Sequence, residues 1–193
     1  MVKSVLILSG SPKKDGNTAI LVDWFAEGAR SKGAEVEIVH IGAPRFKASG
    51  CMACRACQSS KKYECVIPDD ATPLLARMPD KDVIVMASPL YFYGASAQLK
   101  AVFDRFFSLY KWDNLAGTME TPLKGKTLVF IGSGFEDVGM DIFAKPFELT
   151  ASYTGMKFAS LLVPNAGVSG EIKAKAGIRE KAIAFGSEVA DGH

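Results

Sequence analysis

The sequence predicts an α/β domain built on a doubly wound, five-stranded parallel sheet of order 2-1-3-4-5 with helices on both faces. Three observations carry this expectation. Short apolar runs at residues 3–8, 36–41, 83–87, 127–131 and 158–163 alternate with segments of helical period. The third run, Val83-Ile84-Val85-Met86-Ala87, is wholly apolar, as a central parallel strand buried on both faces should be. The first run leads directly into a small polar loop, Ser9 to Thr18, which in turn feeds a helix.

Composition bounds what such a domain can do. A chain of 193 residues suits a single domain over 1–193, with a cysteine-rich loop insertion at about 42–68. With 48% hydrophobic and 23% charged residues, a full core is available and disorder is not expected. A net charge of +2 is too weak to argue for nucleic acid. No apolar run approaches the roughly 20 residues that span a bilayer. Val5 to Leu8 is too short for a signal-peptide core. The expectation is a cytoplasmic protein without a nucleic-acid or membrane partner.

In chain order, Lys3 to Leu8 reads as a buried strand. Ala19 to Arg30 reads as a helix with Leu21, Trp24, Phe25 and Gly28 or Ala29 on one face, ended by Gly33. Val36 to Ile41 is the second strand, and 42–68 is irregular. Asp69 and Asp70 are read as caps of a short helix running to Arg77, with Pro73 tolerated in its first turn. The third strand is followed by a loop, Ser88 to Ala95. A helix over Ala97 to Tyr110 then carries Leu99, Val102, Phe103, Phe106, Phe107 and Tyr110, a face wide enough to serve both core and a dimer contact. Trp112 to Gly125 reads as a connection and Thr127 to Ile131 as the fourth strand. Asp141 to Tyr153 is a helix interrupted or delayed by Pro146. Phe158 to Val163 is the fifth strand, and Ile172 to Val189 the last helix.

The loop from Ser9 to Thr18 has the makings of an anion site. Helix N-terminal N–H groups lack helical acceptors, and the dipole favours negative charge. Ser9, Ser11, Asn17 and Thr18 add side-chain donors, and Gly10 and Gly16 permit close approach. It is not a P-loop: five residues separate Gly10 from Gly16 where that pattern has four, and Asn17 stands in place of the lysine. Nor is it G-x-G-x-x-G, since Ser11-Pro12 follows Gly10. A single phosphomonoester suits it better than a triphosphate with magnesium. The alternative is a plain strand-to-helix turn with Asn17 as N-cap.

In order 2-1-3-4-5 the switch point lies between the first and third strands, so a ligand would lie between Ser9–Thr18 and Ser88–Ala95. The second loop contains Pro89-Leu90-Tyr91-Phe92-Tyr93-Gly94, whose aromatics can cover a flat ring; core or dimer contacts are the alternative. Gly132-Ser133-Gly134 offers a third wall, or simply a turn. All four cysteines, Cys51, Cys54, Cys57 and Cys65, fall in one fifteen-residue window as C-x2-C-x2-C-x7-C. A disulfide framework would spread them out. The spacing leaves a 4Fe–4S cluster, zinc and unligated thiols as readings. Topology brings this segment to the same sheet edge as the two loops. His40 and His193 make no convincing acid–base pair, which favours chemistry borrowed from a cofactor.

Gly10-Ser11-Pro12-Lys13-Lys14-Asp15-Gly16-Asn17-Thr18, Cys65-Val66-Ile67-Pro68-Asp69-Asp70, and Ser88-Pro89-Leu90-Tyr91 through Gln98-Leu99-Lys100-Ala101-Val102-Phe103-Asp104-Arg105 together resemble the NADPH-dependent FMN reductase family. The compact cysteine motif resembles its iron–sulfur flavoprotein branch, although the gap between Cys57 and Cys65 is at the long end for that branch. The resemblance runs from about residue 3 to 135. It implies a flavodoxin-like fold, noncovalent FMN and a homodimer or homotetramer. It assigns Ser9, Ser11, Asn17 and Thr18 to the FMN phosphate, with Pro12 and Gly16 in the same loop. It assigns Pro89, Leu90, Tyr91, Phe92, Tyr93 and Gly94 to the isoalloxazine ring and the cysteines to a 4Fe–4S cluster, and the third wall adds Ser133 and Gly134 to the candidate cofactor-binding residues. The leading expectation is an FMN-dependent oxidoreductase joining two-electron to one-electron transfer. NAD(P)H is a candidate donor, and a redox protein or small molecule the acceptor. Its rivals are a cluster-free NAD(P)H:FMN or quinone reductase, and a non-enzymatic electron carrier or zinc-stabilised interaction module.

Overall fold

The computed structural model describes residues 2–41, 46–113 and 116–192. His193, the first four residues of the expected 42–68 segment and two residues of the Trp112–Gly125 connection lie outside that description. The main sheet is made of β1 (Ser4–Ser9), β2 (Glu35–His40), β3 (Val83–Pro89), β6 (Thr127–Ser133) and β7 (Lys157–Val163). All are parallel, in the order β2-β1-β3-β6-β7. This is the flavodoxin-like 2-1-3-4-5 arrangement that the alternating pattern predicts. The remaining strands, β4 (Lys111–Asp113) and β5 (Thr118–Glu120), pair antiparallel in a separate hairpin. That hairpin lies inside what reads from the sequence as a bare connection.

Alternate residues of each strand feed two layers, as the period of two requires. Val5, Ile7, Val83, Val85, Val129 and Ile131 pack beneath α1 (Asn17–Ser31) and α7 (Ile178–Asp191). Leu6, Leu8, Ile84, Met86, Leu128 and Phe130 face α3 (Ala71–Arg77), α4 (Ala97–Phe103) and α6 (Lys145–Thr154). Two short helices, α2 (Ala56–Ser59) and α5 (Met140–Phe143), complete the set. The crossing of α1 and α7 is unusually close. A Cβ on Gly28 would overlap the Ile183 carbonyl, and one on Gly186 would overlap the Phe25 carbonyl. Only glycine at both positions lets the backbones approach this far.

Several helices differ from their sequence expectation. The helix after β3 tightens into a 3₁₀ segment at Asp104–Leu109. Along it Leu99, Val102 and Phe106 are buried while Phe103, Phe107 and Tyr110 are half-buried. The last helix is broken into a 3₁₀ turn, Glu171–Ala174, and α7, because Gly177 sits at φ 77° between them. Gly16, not Asn17, is the N-cap of α1. Trp24 is half-buried at the edge of the α1 face. Gly33 does end α1 as expected: its N–H donates to Arg30, and that of Ala34 donates to Ala29, the paired bonds of a Schellman motif. Asp69 is more than a cap. Its carboxylate accepts the Ala71 N–H at 3.1 Å, but its main partner is the buried Arg105, at 2.8 Å.

Candidate functional site

The C-terminal edge of the sheet is where four loops meet. Those after β1, β3, β6 and β7 enclose a cleft of about 370 Å³. Ser11, Pro12, Gly16, Asn17 and Thr18 form one wall, Pro89, Leu90 and Tyr91 a second, and Ser133 and Gly134 a third. The fourth wall, Ala166 to Ser169, together with Phe135 and Lys13, is not singled out from the sequence. The signal was present: ligands in open α/β sheets sit beyond the carboxyl ends of the strands, and this loop follows the last one.

The local chemistry of the cleft suits an anion. The N-terminus of α1 carries no side-chain cap and no acidic residue in its first turn. Its first N–H groups therefore remain available beside the loop. Thr18 Oγ1 and Ser133 Oγ lie 2.7 Å apart and buried, joining the first and third walls. Among the described residues, Lys13 is the one charged residue lining the cleft. Ser11 Oγ donates to the Lys13 carbonyl at 2.8 Å, which folds the loop on itself. Ser9 Oγ is buried without a hydrogen-bond partner, and Ser9 does not line the cleft. The Asn17 side chain turns to the fourth wall. Its amide nitrogen lies 3.0 Å from the carbonyls of Ala166, Gly167 and Val168, and its oxygen accepts from Gly170 at 2.9 Å and Ile172 at 3.3 Å.

The second wall ends in a strained turn. Tyr91 and Gly94 exchange two backbone hydrogen bonds of 3.0 Å, and the central residues Phe92 and Tyr93 have φ of 44° and 66°. Type I′ turns require positive φ at both positions, but bulky aromatics rarely supply it. Phe92 is 101% exposed. Leu90, Phe92 and Tyr93 face Phe135 and Val138 across a second hollow of about 240 Å³, which shares Leu90 and Phe135 with the main cleft. Gly94 lines neither.

Ser96 ties these loops to the rest of the site. Its N–H donates to Ser88 Oγ and its hydroxyl to the Gly10 carbonyl, both at 2.8 Å, and it caps α4 by accepting the Leu99 N–H. A Cβ at Gly10 would come within 2.7 Å of Leu99 Cβ and 2.8 Å of Ser96 Oγ, so this approach excludes a larger residue.

The cysteines do not line the cleft. Cys51, Cys54, Cys57 and Cys65 wall a separate small cavity together with Arg105 and Phe107 from the far end of α4 and its 3₁₀ extension. The two cavities share no lining residue, so the shared edge inferred from topology resolves into two distinct sites. Cys57 and Cys65 are buried, Cys51 and Cys54 exposed. Burial pushes the Cys57 thiol above its ordinary pKa, against the hydrogen bond from Gln58 and the charge of Lys111. Lys111 Nζ donates to the carbonyls of Cys57 and Lys62, and Gln58 reaches the Phe107 and Tyr110 carbonyls, each at 3.0 Å. Among the described residues no three of His, Cys, Asp or Glu converge as a site for a single metal ion. A zinc site needs tetrahedral convergence at about 2.3 Å from each sulfur. Four cysteines around one cavity are the donor set that a multi-iron cluster uses, while the cavity itself measures about 20 Å³.

Comparison with known proteins is consistent with this architecture. The family model for NADPH-dependent FMN reductase matches residues 4–158. An iron-sulfur flavoprotein of Methanocaldococcus jannaschii is 37% identical over 101 residues, 52% of this chain and 50% of that protein. One of Archaeoglobus fulgidus is 34% identical over 134 residues, 69% and 56% of the respective chains. The matches thus span about half the length of these curated relatives. A solved NAD(P)H:quinone oxidoreductase from Methanothermobacter marburgensis superposes with a TM-score of 0.70 over 100% of this chain and 99% of its own, at 16% identity, a likeness of fold. A flavodoxin-like sheet, a hydroxyl- and amide-lined cleft at its switch point and a family match over most of the chain agree: this chain belongs to the NADPH-dependent FMN reductase family.

Proposed function

We propose that the protein is an FMN-dependent oxidoreductase that links a two-electron donor, NAD(P)H among the candidates, to one-electron transfer through a 4Fe–4S cluster on Cys51, Cys54, Cys57 and Cys65. The observation that carries this reading is that all four cysteines wall one cavity on a chain that also has a flavin-family cleft. FMN supplies hydride and electron chemistry when bound, and the cluster exchanges single electrons. The protein's own groups bind, orient and shield. The open N-terminus of α1, with Ser11, Thr18 and Ser133, receives the phosphate. Leu90, Tyr91, Gly134 and Phe135 enclose the ring. Asn17 holds the Ala166–Ser169 loop against the cleft. Exposed Phe92, Phe135, Val138 and Ile142 support a homodimer or homotetramer, which light scattering would test.

The full chain, purified anaerobically, should bind FMN and hold about four iron and four acid-labile sulfide per chain. A yellow protein with neither iron nor sulfide would exclude the cluster. A second reading, a cluster-free NAD(P)H-dependent FMN or quinone reductase, is favoured by the exposure of Cys51 and Cys54. It predicts undiminished quinone reduction in Cys54→Ser and Cys57→Ser. The leading reading predicts loss of electron transfer to one-electron acceptors in both variants while hydride uptake persists.

A further inference from the structure

The cysteine cavity has one buried arginine beside it that ligand spacing does not explain. Arg105 is 1% exposed and lines it. Most of its guanidinium is spoken for. Nη1 lies 2.8 Å from both carboxylate oxygens of Asp69, and Nη2 donates to the Ile67 carbonyl and Thr72 Oγ1 at 3.2 Å. Arg105 Nε is the exception: it is buried and has no hydrogen-bond partner. An arginine cannot shed this proton, and a buried N–H left unpaired is unfavourable. Neither Ile67, whose carbonyl accepts from Nη2, nor Ser108, whose Oγ donates to the Arg105 carbonyl, takes up the Nε–H. All four cysteines stand around the same cavity as Arg105.

We propose that Arg105 Nε–H is a second hydrogen-bond donor to the sulfurs of this cavity, beside the Gln58 amide at Cys57, and that it raises the reduction potential of the cluster held there. The assignment rests on the cluster reading above. Asp69 offsets the positive charge of the guanidinium, so the effect is that of a directed N–H dipole rather than of a net cation. Such a donor favours the more electron-rich, reduced state, and hydrogen bonds to sulfur are among the established levers on cluster potential. Arg105 also holds the chain beside the fourth cysteine, since Ile67, which accepts from Nη2, is two residues beyond Cys65. Arg105 is thus a positioning and tuning residue for the cysteine site, acting from the far end of the helix that Ser96 starts.

The test compares anaerobically reconstituted wild type with Arg105→Lys. Lysine keeps a cation for Asp69 but has no N–H at the Nε position. Iron and sulfide are assayed in both proteins, and the cluster potential is read by EPR-monitored titration. The expected result is equal iron content with a tenfold shift toward the oxidised cluster at fixed poise, about 59 mV lower for one electron. Equal iron with an unchanged potential overturns the role of Arg105 and leaves the cluster reading intact. Wild type without iron overturns both. If Arg105→Lys does not load or fold, full-length protein labelled with ¹⁵N at arginine Nε, on an Arg55→Lys background, decides the matter. A ¹⁵N hyperfine coupling to the reduced cluster supports the assignment, and its absence refutes it.

Discussion

Replacing Asn17 by alanine should weaken FMN binding without touching the flavin's own contacts, because this side chain works as a clamp. Its amide can donate two hydrogen bonds, shared among three carbonyls at 3.0 Å, and its oxygen accepts two more, from Gly170 and Ile172. Four bonds at about 1 kcal/mol each set an upper limit near 4 kcal/mol for the loop. The groups border an open cleft, so water restores part of this, and about 2 kcal/mol is a reasonable net loss. If that cost falls on ordering the fourth wall when flavin binds, the Kd for FMN rises by roughly 30-fold. Flavin fluorescence quenching in a titration of flavin-free protein measures it directly. Asn17→Asp should be at least as severe, since it turns a carboxylate toward three carbonyls. Hydrogen exchange over residues 166–170 reports whether the loop is released. A loop released by Asn17→Ala with a Kd within about threefold of wild type would refute the clamp.

Other variants probe the scaffold. Gly28→Ala and Gly186→Ala each push a methyl into an opposing carbonyl, so each should cost at least about 1–3 kcal/mol in urea unfolding; a neutral result would mean the helices slide apart freely. For Asp69, burial alone would raise the carboxyl, but the Arg105 hydrogen bond and charge and the Lys47 and Ala71 N–H groups outweigh it and hold the pKa below the usual 3.8. A depressed folded-state pKa gives stability that is present above about pH 4 and lost as pH falls through the lowered value. Asp69→Asn should therefore cost about 3–5 kcal/mol near neutral pH and flatten the acid limb below pH 4. An unchanged acid limb would remove Asp69 from it. Phe92→Asn should raise the melting temperature, because asparagine accepts a φ of 44° and no buried contact is lost. A lower melting temperature would show that another chain covers Phe92.

Much of the fold was legible because long apolar periods leave few arrangements open. Alternation predicts a parallel sheet, the common five-stranded order then sets the switch point, and that point brings Ser11–Thr18, Pro89–Tyr91 and Ser133–Gly134 to one edge. The fourth wall was harder to see, since Ala166 to Ser169 carries no group that announces chemistry; it matters through its carbonyls and through Asn17, 149 residues away. Arg105 was legible only as part of a helix face. Its pairing with Asp69 spans 36 residues and depends on the 3₁₀ tightening after Phe103, which local pattern does not encode. That the cysteines and the cleft line separate cavities was not legible, for a related reason. Strand order fixes the edge from which a segment leaves, and packing against α4 decides where it comes to rest.

That helix carries a consequence for how the family can vary. Ser96, at its start, grips Gly10 and Ser88 beside the cleft, and Arg105, at its far end, faces the cysteines. The two are about 14 Å apart along the axis. One inserted residue between them would turn everything beyond it by about 100°. Arg105 would then point away from Asp69 while Ser96 stayed where it was. The spacing works as a gauge block: the exposed side chains of Ala97 and Lys100 can change, but the count between Ser96 and Arg105 cannot, if both sites are to be kept in register.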